Sequence, residues 1–251
     1  MARNFSKYAK HYDLHCYMQN ICASQLIDSV KSNDFSRILE IGCGTGNYTQ
    51  MLREKFPASC IKALDISQDM IEIARAKLDH AQVKFIVADA ESIDLDGKFD
   101  FISSNATFQW FQHLEHTLTQ YHHLLSDDGI ISFSVFGPLT FVELSECLKE
   151  VYGEDVSISS NGFADGFKIT QMLHNVFGNG VIEQRIFREE HGSLLELLTR
   201  IKYTGTGGNG ARTNSWWTPK SIQKLEDVYR LKYGRIVATY QVLLCQAVNG
   251  P

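Results

Sequence analysis

The chain has 251 residues, with 24 Lys plus Arg against 29 Asp plus Glu, a net charge of −5, and 44% hydrophobic residues. That length accommodates one large domain, and the composition excludes a disordered or collagen-like chain. No apolar run is of membrane-spanning length, the first residues lack a signal-peptide core, and the cysteines form no C-x-x-C pair. The expectation is a single-domain cytoplasmic monomer with reduced thiols, no membrane association and no metal. The acidic balance and the lack of an Asn/Asp-Pro-Pro-Tyr motif argue against a nucleic-acid substrate.

In chain order, Phe5–Val30 places Tyr8, Tyr12, Ile21, Leu26, Ile27 and Val30 at helical spacing, which predicts a helix that folds over the pocket. Arg37–Ile41 reads as a strand running into Gly42, Gly44 and Gly46, and a helix starts at Asn47. Next come a strand Cys60–Leu64 ending in Asp65, a helix Gln68–Leu78 capped by Ser67, and a strand Val83–Val87 followed by Asp89, Ala90 and Glu91. A strand Phe99–Ser103 precedes Ser104-Asn105-Ala106-Thr107-Phe108-Gln109-Trp110, then a helix His113–Ser126, a turn Asp127-Asp128-Gly129 and a strand Gly129–Phe136. Such alternation predicts a parallel sheet with helices on both faces.

Beyond Pro138 the pattern predicts a helix Thr140–Tyr152, a polar loop Gly153–Gly166, a helix near Ile169–Phe177 and a strand Val181–Glu189. Helices Ser193–Tyr203 and Pro219–Tyr233 flank a glycine-rich loop Thr204–Thr213, and Ile236–Ala247 is a last long strand.

The strand ends carry the chemistry. Glycines at a strand-to-helix turn let backbone approach a ligand closely, and the helix start offers unpaired N–H groups. Asp65, 19 positions after Gly46, is placed to accept hydrogen bonds from ribose hydroxyls, although Asp65-Ile66-Ser67 can equally cap the next helix. The spacing is G-x-G-x-G, not the dinucleotide G-x-G-x-x-G, because Asn47 takes the place of the third glycine. Cys43 sits in this loop with no His or Asp close in sequence and reads as structural, and the histidines at 113, 116, 122 and 123 read as helix surface.

The pattern Glu40-x-Gly42-x-Gly44-x-Gly46 resembles the first motif of class I S-adenosylmethionine (SAM) methyltransferases. The whole chain resembles the malonyl-[acyl-carrier-protein] O-methyltransferase family of biotin synthesis. The residues that carry this are Phe5-Ser-x-x-Ala9-x-x-Tyr12-Asp13 with Gln19, then Ser104-Asn105-Ala106-x-Phe108-Gln109-Trp110, Phe136-Gly137 with Thr140-Phe141-x-Glu143-Leu144, Ile201-Lys202-x-x-Gly205 and Ala238-Thr239-Tyr240. The family pattern departs after Lys202, where Gly-Ala comes only at Gly210-Ala211. The resemblance implies an α/β, Rossmann-like fold with a seven-stranded, mostly parallel sheet. The last strand would insert antiparallel beside the fifth, and a helical lid between Ser193 and Tyr233 would sit above the carboxyl edge.

It also implies SAM as cofactor, held by Tyr12, Gln19, Glu40, Gly42, Gly44, Gly46, Asp65, Ile66, Met70, Asp89, Ala90, Asn105 and Ala106. Asp89 would face the adenine amino group, Gln19 the cofactor carboxylate and Tyr12 its methionine part. The implied activity is methylation of the free carboxylate of a malonyl thioester on acyl carrier protein. A carboxylate is already ionised at neutral pH, so no general base is required, and Tyr12, Asn105 and Trp110 would act by positioning.

A buried carboxylate needs a charged partner, for which Arg212, Lys202 and Arg200 are candidates; Tyr203, Trp216, Trp217 and Tyr240 are candidate pocket walls. From Ser193 to Arg235 eight basic residues face three acidic ones, so this segment is +5 and the remainder −10. Lys220, Lys224, Arg230 and Lys232 thus form a candidate patch for an acidic carrier protein, or a solvated helix face. Two other readings stay open at this level: a SAM methyltransferase for another small carboxylic acid or hydroxyl, and a catalytically silent SAM-fold binding protein.

Overall fold

A computed structural model describes residues 2–31, 34–78, 82–205 and 218–250. Seven strands form one sheet in the order β3-β2-β1-β4-β5-β7-β6. They are β1 (Arg37–Ile41), β2 (Cys60–Asp65), β3 (Val83–Val87), β4 (Phe99–Asn105), β5 (Leu125–Phe136), β6 (Val181–His191) and β7 (Ile236–Val248). The first five pair in parallel, and β7 runs antiparallel between β5 and β6, as expected. This strand order reverses beside β1, so the ends of β1 and β4 open a crevice at the carboxyl edge.

Nine α-helices are described: α1 (Ala2–Tyr12), α2 (Tyr17–Ser29), α3 (Asn47–Lys55), α4 (Gln68–Lys77), α5 (Leu114–Leu124), α6 (Val142–Tyr152), α7 (Gly166–Phe177), α8 (Leu194–Tyr203) and α9 (Pro219–Tyr233). Two apolar clusters cover the two sheet faces. Ile38 and Phe101 face Cys22, Leu26, Leu52 and Ile71, from α2, α3 and α4. Leu39, Ile102 and Phe133 face Leu118, Tyr121, Ile169 and Leu173, from α5 and α7. The alternation along β1 follows from the two-residue period of a strand covered on both faces.

Several boundaries differ from expectation. The single helix expected over Phe5–Val30 is two, broken at 13–16 by successive turns in which the amides of Leu14, His15 and Cys16 donate to the carbonyls of His11, Tyr12 and Tyr12. At this break Asp13 makes long-range contacts, accepting from Thr45 and Asn47 and pairing with Lys77. β5 starts at Leu125, not Gly129, and Asp128 (φ 61°) is a kink within it, held by its amide on Asn249 O at 2.9 Å. α6 starts at Val142 because Phe141 before it adopts φ 60°. Ser67, Asp165, Ser193 and Thr218 cap their helices by side-chain acceptance, as such residues do. Of the expected lid, α8 meets α1, whereas α9 packs on α6 and β7.

Candidate functional site

The carboxyl ends of β1, β2, β3 and β4 surround a cleft of about 410 Å³. Its floor is the glycine turn. Gly42, Gly44 and Gly46 all have positive φ, of 71°, 54° and 87°. They serve different ends. A Cβ on Gly42 would fall 2.2 Å from Thr107 Oγ1, so this glycine lets the β4 end close over the turn. A Cβ on Gly44 would meet nothing within 4 Å, so this position faces open cleft. A Cβ on Gly46 would lie 3.1 Å from Ala74 Cβ, so Gly46 admits α4 and does not line the cleft.

Asp65 ends β2 inside the cleft. Its Oδ2 accepts from the Gly44 amide at 2.9 Å and its Oδ1 from the Ser67 amide at 2.8 Å, so it both braces the glycine turn and starts α4. Burial raises its pKa, and the bonds from Ser67 and Gly44 pull against that rise. Both oxygens keep lone pairs for further donors. At the end of β3, Asp89 Oδ1 accepts from the Glu91 amide at 3.0 Å. Glu91 itself accepts from the amides of Gln112 and His113 at 2.9 and 2.7 Å, which ties this turn to the start of α5.

On the β4 side, Ala106 lines the cleft at φ 50°, a left-handed backbone uncommon for a residue with a Cβ. Its amide bonds Ser134 O at 3.0 Å, and its carbonyl accepts from Gln109 Nε2 at 2.7 Å. The Asn105 side chain is engaged within the protein: Nδ2 donates to Gln19 O at 3.0 Å and Oδ1 accepts from Ser134 Oγ at 2.7 Å. Phe5 and Tyr12 of α1 and Trp110 complete the walls. The Trp110 ring lies 6.3 Å from Phe5 and 5.2 Å, edge-on, from Phe163. Burial raises the Tyr12 hydroxyl well above its ordinary pKa, with Cys16 and Asp65 adding to the effect.

The structure thus gathers Tyr12, Gly42, Gly44, Asp65, Ile66, Met70, Asp89, Ala90, Asn105, Ala106 and Trp110 around one cleft. It sets Gln19 and Glu40 outside the lining. Gln19 is buried on α2. Glu40 is fully buried in β1; among the described residues no group stands within ordinary hydrogen-bonding distance of its carboxyl oxygens, and the nearby Thr49 hydroxyl only partly offsets the burial. Burial lifts the Glu40 carboxyl to about 8, so at neutral pH it is mostly protonated. Cys43 is buried too, and burial raises its thiol, as fits the structural reading.

The remaining candidates lie elsewhere. Tyr203 packs between Tyr8, His11 and His15 of the α1–α2 region, and Lys202 Nζ stands 5.6 Å from the Tyr8 ring centre. Tyr240 is buried in β7 beside Phe141, with its hydroxyl 3.4 Å from Glu189 Oε2. Arg200 pairs with Glu189. Arg230 pairs with Glu226 at 2.8 Å and Lys232 with Glu146 at 2.8 Å, whereas Lys220 and Lys224 are exposed without an ion pair among the described residues. Arg212, Trp216 and Trp217 lie outside the described residues, as does most of the loop Thr204–Thr213. Sequence reasoning did not single out Phe5, Glu91, Thr107 or Gln112 as cleft residues; the only signal was their closeness in sequence to residues that it did select.

A methyltransferase domain model matches residues 38–129, from β1 into the first part of β5. Solved structures share the fold. The YcgJ protein of Bacillus subtilis superposes with a TM-score of 0.63 at 14% identity, over 92% of this chain and 99% of that one. The phosphoethanolamine N-methyltransferase 2 of Haemonchus contortus, in complex with S-adenosyl-L-methionine, gives 0.58 at 16% identity, over 98% of this chain and 60% of that one. Sequence relatives are closer. A malonyl-[acyl-carrier protein] O-methyltransferase of Ilyobacter polytropus is 38% identical over 92% of this chain and 89% of its own length. That of Priestia megaterium is 42% identical over 80% and 73%, and that of Acetivibrio thermocellus 30% identical over 96% and 90%. With the fold, the motif spacing and these whole-length identities in agreement, the chain belongs to the malonyl-[acyl-carrier protein] O-methyltransferase family.

Proposed function

We propose that the protein transfers a methyl group from S-adenosylmethionine to the free carboxylate of a malonyl thioester carried on acyl carrier protein. The observation that carries this reading is the convergence of Gly44, Asp65 and Asp89 on one cleft, in a chain of this family. When bound, S-adenosylmethionine supplies an electrophilic sulfonium methyl for in-line displacement. Asp65 keeps lone pairs for two ribose hydroxyls, and Asp89 Oδ2 for an adenine amino group. Gly44 leaves room for close approach of the nucleoside. Phe5 and Tyr12 cover the cleft and exclude water, and Trp110 forms the wall toward the acceptor.

No described residue need take a proton, because the acceptor is already a carboxylate. The protein's task is to hold two reactants in line. Arg212 is our choice for the acceptor carboxylate, since a guanidinium presents paired donors to one. Its segment follows Gly205, where a Cβ would fall 2.5 Å from the Phe5 ring, so the chain reaches the cleft wall just before it. Arg200, the other guanidinium among the candidates, is already committed to Glu189. Lys220 and Lys224 give the acidic carrier a docking point. Incubation with SAM and malonyl-acyl carrier protein tests the function by intact mass. A gain of one methylene that an esterase reverses supports it; an unchanged mass with SAM bound refutes it.

A further inference from the structure

Asp13 follows Tyr12 in the sequence but does not line the cleft. It occupies the break between α1 and α2, and three elements converge on its carboxylate. Oδ1 accepts from Thr45 Oγ1 at 2.6 Å and from Asn47 Nδ2 at 3.1 Å. Oδ2 pairs with Lys77 Nζ at 2.5 Å, and Lys77 in turn donates to Asn47 Oδ1 at 2.8 Å. Thr45 lies inside the glycine turn, Asn47 opens α3 and Lys77 closes α4. Partial burial would raise the Asp13 carboxyl, but the hydrogen bonds from Lys77 and Thr45 outweigh it and hold the group below the ordinary carboxylate range. The carboxylate is therefore charged wherever the protein works, and its bonds are the charge-assisted kind.

The effect is to join α1 to the floor of the cleft. Phe5 and Tyr12 are seven residues apart, two helical turns, so one face of α1 points both into the cleft. Near its start, α1 has a further polar tie to this side, Ser6 Oγ to Ser67 Oγ at 2.8 Å. Its adjoining side meets α8 through Tyr203, whose ring lies 5.3 Å from that of Tyr8 and 5.2 Å from that of His11. Helix α1 thus spans the cleft from the glycine turn to the helix preceding the Arg212 segment, and Asp13 is its fastening at the donor end.

We propose that Asp13 is a positioning residue for the methyl donor. It latches α1 onto the glycine turn so that Tyr12 and Phe5 close over bound SAM, and donor affinity depends on it without any contact between Asp13 and the donor. The proposal rests on the donor assignment above but not on the acceptor.

Titration calorimetry with SAM alone, on wild type, Asp13→Ala, Asp13→Asn, Thr45→Val and Asp13→Ala/Thr45→Val, tests it. Asp13→Ala should raise the Kd about tenfold at unchanged stoichiometry, by faster dissociation, the size expected for lost charge-assisted hydrogen bonds. Thr45→Val should weaken binding in the same direction on its own and add nothing in the Asp13→Ala background. Asp13→Asn keeps an acceptor for Thr45, loses the Lys77 pair and should fall between. A purely structural Asp13 would instead lower the folded fraction, and so the stoichiometry, at unchanged Kd; that result, or additive effects of Asp13→Ala and Thr45→Val, overturns the latch. Wild type that fails to bind SAM would overturn the donor assignment, and the latch with it, whereas a tight wild type beside an equally tight Asp13→Ala overturns the latch alone.

Discussion

The Gly44 amide donates to Asp65 Oδ2 at 2.9 Å, binding the turn after β1 to the end of β2 across 21 positions of sequence. One carboxylate therefore shapes the glycine turn and faces the cleft that the turn creates. Asp65→Ala should weaken SAM binding about 30-fold or more, the cost of about 2 kcal/mol for hydrogen bonds to a charged acceptor. The loss should appear in calorimetry with SAM and with S-adenosylhomocysteine alike, because neither the methyl nor the acceptor is involved.

The same residue gives a pH dependence. Burial raises its pKa, and protonation removes acceptor capacity that the ribose hydroxyls require. SAM affinity of the wild type should therefore fall on acidification before ordinary carboxylates titrate, and Asp65→Asn should flatten that limb of the profile. Calorimetry across mildly acidic to neutral pH checks both.

The glycines should separate stability from binding. Gly42→Ala places a Cβ 2.2 Å from Thr107 Oγ1 at φ 71°, so it should lower stability by about 2–4 kcal/mol, seen as a lower Tm without ligand. Gly44→Ala adds a methyl into open cleft, so its stability cost should be only the left-handed backbone, about 1–2 kcal/mol, while SAM binding is largely lost.

Glu40 should set a slope in stability. Its folded pKa, about 8, exceeds the unfolded carboxylate value, so its contribution is fully present below the unfolded pKa and is lost as pH rises through about 8. Glu40→Gln removes this titration. The Tm difference between Glu40→Gln and wild type should grow in favour of the variant from mildly acidic to mildly alkaline pH; a constant difference would contradict the account.

On α9, Arg230 and Lys232 are held by Glu226 and Glu146, while Lys220 and Lys224 stand one turn apart and exposed. Reversing Lys220 and Lys224 to Glu should raise KM for malonyl-acyl carrier protein and flatten its salt dependence, leaving SAM affinity unchanged. Reversing Lys232 should cost chiefly stability, since it leaves Glu146 facing a like charge.

What the sequence made legible was the sheet and its ends. Strand runs alternating with helical periods implied the parallel sheet, and Gly44, Asp65 and Asp89 were readable because each stands at or within three residues of the end of an apolar run, with the family resemblance supplying the role of Asp89. Less legible was what distant segments do to one another. Gly42 needs Thr107, Gly46 needs Ala74, and the α1–α2 break needs Thr45 and Lys77 around Asp13; none of these pairings leaves a local pattern. The Asn105 side chain is spent on Gln19 and Ser134, because a polar group at a buried strand end takes whichever partners packing supplies; the expectation at this position concerned its backbone, and Asn105 does line the cleft.

The most direct test of the central claim is to follow a 13C-labelled methyl of SAM by NMR in the presence of malonyl-acyl carrier protein. The account predicts a new methyl-ester resonance on the carrier protein, dependent on Asp65 and absent when acetyl replaces malonyl. A label that remains on SAM, or reaches acetyl- and malonyl-carrier alike, would contradict it.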